Sequence, residues 1–137
     1  LEFFNTRSNY YLNILSKGIF SIEFDDILNE TISNGLGNVA FDTLSGGEKK
    51  KVSLAVMLSL NDLLRLSGKE KSNIIFFDEV ADSLDREGVK GLCDLIDELK
   101  EDKKVFIISH NEYLTSIIED KATELVVKKS QGTTSFS

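Results

Sequence analysis

Two short apolar runs, Ile74-Ile75-Phe76-Phe77 and Val105-Phe106-Ile107-Ile108, bracket a stripe of Val89, Leu92, Cys93, Ile96 and Leu99 at helical spacing. Runs this short, with no polar residue to alternate, read as parallel strands buried on both faces. The stripe reads as one side of an amphipathic helix from about Arg86 to Lys100, so the order strand, helix, strand predicts a right-handed βαβ unit. Each run ends on chemistry, the first on Asp78-Glu79 and the second on Ser109-His110, where His110 is the sole histidine. In a parallel unit both ends fall on one sheet edge, where open α/β sheets bind ligands.

The rest of the chain is read around that unit. Phe3, Phe4, Tyr10, Tyr11, Ile14 and Leu15 recur at helical spacing from Glu2 to about Ser16, with a stop at Lys17-Gly18 and Asn, Arg and Ser on the remaining face. Ile19 to Phe24 and Ile27 to Ser33 flank Asp25-Asp26 and predict a hairpin or meander, with Asn34 to Gly37 as a turn and Asn38 to Phe41 as a last short strand. From Glu48 to about Leu66 the apolar residues cover more than one face, which predicts a mostly buried helix. Asn111 is placed to cap a short helix to about Glu119. Glu124 to Lys128 and Thr133 to Phe136 predict an edge hairpin through Gly132.

The 137 residues suffice for one core, and 41% hydrophobic content excludes a disordered tail. With 16 Lys and Arg against 23 Asp and Glu, the net charge is -7, which disfavours DNA binding by a broad basic surface. The lone Cys93 allows no internal disulfide and is expected as a buried small hydrophobe in a reducing compartment. No apolar run reaches the roughly 18 residues of a membrane span, so no membrane association is expected. The chain begins at Leu1 rather than Met, which raises the expectation of a piece of a longer polypeptide.

Three motifs carry chemistry. In Leu44-Ser45-Gly46-Gly47-Glu48 the glycines let backbone N–H groups approach an anion, Ser45 adds a hydroxyl, and the helix behind adds its dipole. Its bland alternative is a simple helix cap. Asp78 could hold Mg²⁺ and Glu79 could polarise a water, against the alternative of two solvated acids at a strand end. In Asp82-Ser83-Leu84-Asp85, Asp85 is placed to cap the next helix. His110 alone would read as structural, but the βαβ geometry sets it beside the acids.

In this order and approximate spacing the motifs resemble those of ATP-binding-cassette ATPases. Leu44 to Glu48 is similar to the signature, Ile74 to Glu79 to a Walker B strand with its glutamate, Ser83-Leu84-Asp85 to the D-loop, and Ser109-His110 to the switch histidine. The resemblance is strongest to the chromosome-maintenance and repair branch, particularly the coiled-coil ATPase subunit of the double-strand-break repair nuclease and its phage counterparts. Glu48 stands where transporter cassettes usually have glutamine, and no Gly-x-x-x-x-Gly-Lys-Ser/Thr stretch is present. Departures are Val80 where the family commonly has proline, Ala81-Asp82 in place of small hydroxyl residues, and the basic run Lys49-Lys50-Lys51, read as a solvated turn or as nucleotide or DNA contacts.

The resemblance implies an α/β fold, the C-terminal lobe of an ABC-type P-loop ATPase head. Its parallel buried strands would be flanked by helices, with a small β-meander and a coiled-coil stub (residues 1–17 the stub, 18–137 the lobe). It further implies that Ser45, Gly46, Gly47 and Glu48 bind nucleotide held by an opposite head, that Asp78 serves Mg²⁺, and that Glu79 positions water or acts as base. His110 would contact the γ-phosphate and Asp85 would sense the facing site. ATP and Mg²⁺ are the implied ligands. The implied partners are an N-terminal Walker A lobe of the same polypeptide, a second head, a nuclease subunit, and DNA through the complete complex. The location would be cytoplasmic or nucleoid-associated, or nuclear in a eukaryote, and this chain alone would be inactive. The alternatives are the nucleotide-binding domain of a transporter and a non-enzymatic module binding a basic protein.

Overall fold

The computed structural model describes residues 1–69, 72–125, 127–130 and 132–137. Its elements are α1 (Glu2–Ser16), β1 (Ser21–Phe24), β2 (Glu30–Ser33), β3 (Asn38–Val39), a 3₁₀ turn (Phe41–Thr43), α2 (Gly46–Leu66), β4 (Ile74–Asp78), α3 (Arg86–Leu99), β5 (Lys104–Ile108), α4 (Glu112–Ile118), β6 (Val127–Ser130) and β7 (Thr133–Phe136). β1, β2 and β3 form the antiparallel meander, β4 and β5 pair in parallel, and β6 and β7 form the closing hairpin. Among the described residues no helix is long and apolar enough to cross a membrane.

α1 lies at the centre, packed against α2, α3 and β1. Tyr11, Leu12 and Leu15 are each 1% exposed or less. Ser8 and Ser16 join them in the core, whereas Phe3 from the predicted apolar face is exposed. The helix ends as predicted, but Lys17 itself takes the left-handed turn, with φ 54°. α3 fits against α1 because Gly91 has no side chain: a Cβ there would stand 2.7 Å from the Leu15 carbonyl oxygen.

The face of α1 read as plainly polar does structural work. Asn5 donates to Phe24 O and accepts from Phe24 N, at 3.0 and 2.8 Å. Asn9 does the same with Ile22, at 2.6 and 3.0 Å. One turn apart, the two amides thus stand in for a neighbouring strand along β1 and satisfy backbone groups that would otherwise be stranded against the helix.

Five expectations are corrected. β4 and β5 are not buried on both faces: Ile75 and Phe77 are buried, but Ile74, Phe76, Phe106 and Ile108 lie exposed, with Phe76 66% open. Helix α3 packs on the sheet, and the Phe76 and Phe106 rings stack on each other with centroids 4.9 Å apart. α2 buries Val52, Leu54, Ala55, Leu58 and Ser59 while Met57, Leu60 and Leu66 remain exposed, so it is half-buried rather than mostly buried. β2 starts at Glu30 rather than Ile27, because the Asp25 carboxylate accepts from Ile27 N, Asn29 N and the Asn29 amide and closes a loop. β3 ends at Val39 because the chain turns into the 3₁₀ segment. The closing hairpin forms, with β6 later than predicted; position 126 of that prediction lies outside the described residues.

Candidate functional site

The signature-like corner is first of all a well-made helix start. Ser45 is the N-cap of α2: its Oγ accepts from Glu48 N at 3.3 Å, while Glu48 Oε2 accepts from Ser45 N at 2.7 Å. This reciprocal capping box is worth about 1 kcal/mol and occupies the Glu48 carboxylate. The cap does not use up the groups that the anion-binding reading needs. The Ser45 hydroxyl spends a lone pair on the cap and keeps its proton to donate, and the Gly46 and Gly47 N–H groups belong to the unpaired first turn.

The two glycines have different reasons. At Gly47 a Cβ would stand 2.8 Å from Ser83 O, so only glycine lets the D-loop-like segment pass against α2. At Gly46 a Cβ would meet nothing within 4 Å. Packing within this chain therefore does not call for that glycine, whereas close approach of an external group would.

In the parallel pair, the register Asp78↔Ile108 brings the ends of β4 and β5 to one edge, as the sequence predicts. Glu79 leaves the strand with φ 50°, a left-handed conformation uncommon for a non-glycine residue. Its N–H donates to Ile108 O at 2.8 Å, and its carbonyl accepts from Asp82 N at 3.3 Å, so the turn is held from both sides. Glu79 Oε1 lies 3.8 Å from His110 Nε2, with the imidazole 86% exposed. The Asp78 carboxylate makes no hydrogen bond or ion pair among the described residues, and the residue is exposed.

After Glu79 runs the segment Val80 to Asp85. Val80, Ala81 and Leu84 are buried, so the departures from the family pattern are accommodated as core anchors. Asp85 caps α3, with Oδ1 accepting from Gly88 N at 2.8 Å. Two residues not assigned to the site by sequence reasoning also hold this segment. Asn111 caps α4 through Leu114 N and donates from Nδ2 to Ala81 O at 3.4 Å, tying the residue after His110 to the stretch that leads into the D-loop. Lys51 turns inward toward Asp85, which removes it from the solvated run in which it was read. The remaining run is half-exposed, and Lys49 lies over the Phe41 ring at 5.8 Å.

The structure brings Glu79 and His110 together at 3.8 Å, while among the described residues no hydrogen bond or ion pair joins Ser45 to Glu48 with Asp78, Glu79 or His110. A groove of about 370 Å³ lies elsewhere, among Arg7, Tyr11, Asp62 and Lys103. There the Tyr11 hydroxyl donates to Asp62 at 2.6 Å, and burial first, then this bond, pushes its ionisation well above the usual phenol range. Its charges already pair with one another, with Arg7 and Lys103 both against Asp62.

Asp78 and Glu79 suit Mg²⁺ of one kind. No cluster of three or more acidic, His or Cys side chains able to cage a metal occurs among the described residues. One or two free carboxylates fit instead an ion that arrives with phosphate and keeps its waters.

Comparison with known proteins gives the family and the fold. The model of the RecF/RecN/SMC N terminal domain matches residues 5–135. Exonuclease subunit 2 of Enterobacteria phage T4 is 32% identical over 115 residues, covering 82% of this chain and 20% of that protein. The chain thus spans about one fifth of the length of that relative. The energy-coupling factor transporter ATP-binding protein EcfA1 of Staphylococcus saprophyticus is 40% identical over 77 residues, 56% of this chain and 25% of that one. Among solved structures, the SMC head domain from Thermotoga maritima superposes with a TM-score of 0.74 at 22% identity, over 100% of this chain and 47% of its own. The chain belongs to the RecF/RecN/SMC N-terminal-domain family and has the fold of an SMC-like, ABC-type ATPase head.

Proposed function

We propose that this chain is the C-terminal side of an ATP-hydrolysing head in a DNA repair or recombination ATPase, which controls a nuclease partner through ATP-driven pairing of two heads. The family description speaks of an N-terminal domain, yet this chain carries signature, Walker-B-like and switch residues and no Gly-x-x-x-x-Gly-Lys-Ser/Thr run. The observation that carries the reading is the placement of Glu79 and His110 3.8 Å apart on one sheet edge, with no bond among the described residues linking them to the signature corner. That is half of each of two sites. In a head pair, Ser45, Gly46 and Gly47 would meet the nucleotide of the opposite head, Glu48 would hold their cap, and Asp85 would face the other site. Asp78 would hold Mg²⁺, which when bound neutralises phosphate charge. Glu79 would orient the attacking water, and His110 would donate to the terminal phosphate.

The open apolar face of Ile74, Phe76, Phe106 and Ile108 supports a covering lobe from the same polypeptide. DNA would be reached through the complete complex, since the acidic balance of this piece gives it no broad cationic surface. The coiled coil would continue from α1, and a cytoplasmic or nucleoid-associated setting fits the phage and bacterial relatives. The similarity to EcfA1 supports the shared ATPase chemistry and keeps a transporter reading as the second choice; Glu48 and the likeness to the phage exonuclease subunit over 82% of the chain favour the first. The test is Glu79→Gln in the complete polypeptide. It should stop phosphate release and leave an ATP-bound head pair visible by light scattering, whereas unchanged steady-state hydrolysis would refute the assignment.

A further inference from the structure

The signature corner and the D-loop of this one chain are fastened together by a residue that neither motif contains. Lys51 stands one turn after Gly47 on α2, and its side chain is only 11% exposed. Its Cε packs where a Cβ of Gly88 would be, at 3.0 Å, so the first turn of α3 is cut away to admit the lysine stem. Nζ then lies 3.8 Å from Asp85 Oδ1, the same oxygen that accepts the Gly88 N–H at 2.8 Å. The carboxylate is gripped through this oxygen while the Asp85 side chain stays 73% exposed. One turn earlier, Gly47 admits Ser83 O against the same helix.

We propose that Lys51 is a positioning residue: it fixes the direction of the Asp85 carboxylate from the signature helix, so that the signature corner and D-loop of one head move as a single body. The inference rests on the head-pairing function above and deepens it. A signature corner drawn onto the nucleotide of a second head would carry Asp85 with it to the facing site, and the chemical step there would depend on Lys51 although Lys51 touches no ligand. The alternative is a purely structural pair that steadies the start of α3.

The two are separated in the complete polypeptide by Lys51→Met, which keeps the packed stem and removes the charge, and Asp85→Asn, which keeps the helix cap and removes the charge. Each should lower kcat about fivefold with KM for ATP within about twofold, because a misplaced group costs the chemical step more than binding. The double variant should fall no lower than either single, since the two changes remove one interaction. Lys51→Arg should restore at least half of kcat. A Lys51→Met protein with lower thermal stability and unchanged kcat, or single effects that multiply in the double, would overturn the proposal. Glu79→Gln run alongside separates the layers: if it is inactive while Lys51→Met has normal kcat, only the Lys51 inference fails. If Glu79→Gln hydrolyses ATP normally, the head-pairing reading fails and this one with it.

Discussion

At the scale of the residue, function and stability pull against each other at Glu79. A non-glycine residue held at φ 50° costs about 1–2 kcal/mol, and such strain gathers at functional turns. Glu79→Gly removes that cost but loosens the unfolded chain, so urea unfolding should show a gain of up to about 1 kcal/mol, while turnover in the complete head is lost. A clear loss of stability would show that the turn is not strained. The asparagines of α1 give the opposite case. Asn9→Ala leaves two Ile22 backbone groups without their partner and should cost about 2 kcal/mol by denaturant midpoint.

Cys93 adds a pH dependence. Burial first, then the charges of Asp94 and Asp97, push its thiol above the usual range, so the folded state holds the proton more tightly than the unfolded chain. Its contribution to stability is present below the unfolded thiol value, about 8.5, and is lost as pH rises through the higher folded value. Cys93→Ala should flatten that alkaline decline in a stability-against-pH series.

The position of the acids and His110 at strand ends was legible because an apolar run stops there, and the Ser45 cap because a Glu stands three residues after it. The φ of Glu79 was not, since it is set by an N–H reaching across to Ile108 O on another strand. Nor were Asn5, Asn9 and Lys51, whose polar side chains look like solvent-facing residues until a neighbouring element arrives to use them.

At the scale of the element, the fold depends on places where backbones nearly touch. Ala is the better helix former than Gly by about 1 kcal/mol, yet Gly91→Ala should destabilise by about 1–3 kcal/mol, because its Cβ would press on the Leu15 carbonyl. A stabilised variant in thermal unfolding would mean that α1 and α3 can part without cost. The helices, the meander and the parallel pair follow from spacing in the sequence, as predicted. The depth of burial did not, because an apolar strand reads the same whether helices cover one face or two. Spacing alone cannot show that α3 packs on the sheet while Phe76 and Phe106 are left stacked in the open.

At the scale of the whole molecule, that open face is where the proposed covering lobe would sit. Phe76→Asp in this chain alone should cost about 1 kcal/mol or less, since an exposed cross-strand aromatic pair is worth little more. In the complete polypeptide the same change should abolish assembly of the head, read as loss of ATP turnover and of a compact protease-resistant core. The central claim is that this chain holds only halves of active sites, and the direct measurement is phosphate release from ATP and Mg²⁺ by this chain alone and after co-purification with the Walker A lobe. The account predicts no release above background from the chain alone, and turnover that rises cooperatively with ATP once the lobe is present. Hydrolysis by the isolated chain at the rate of the complete head would contradict it.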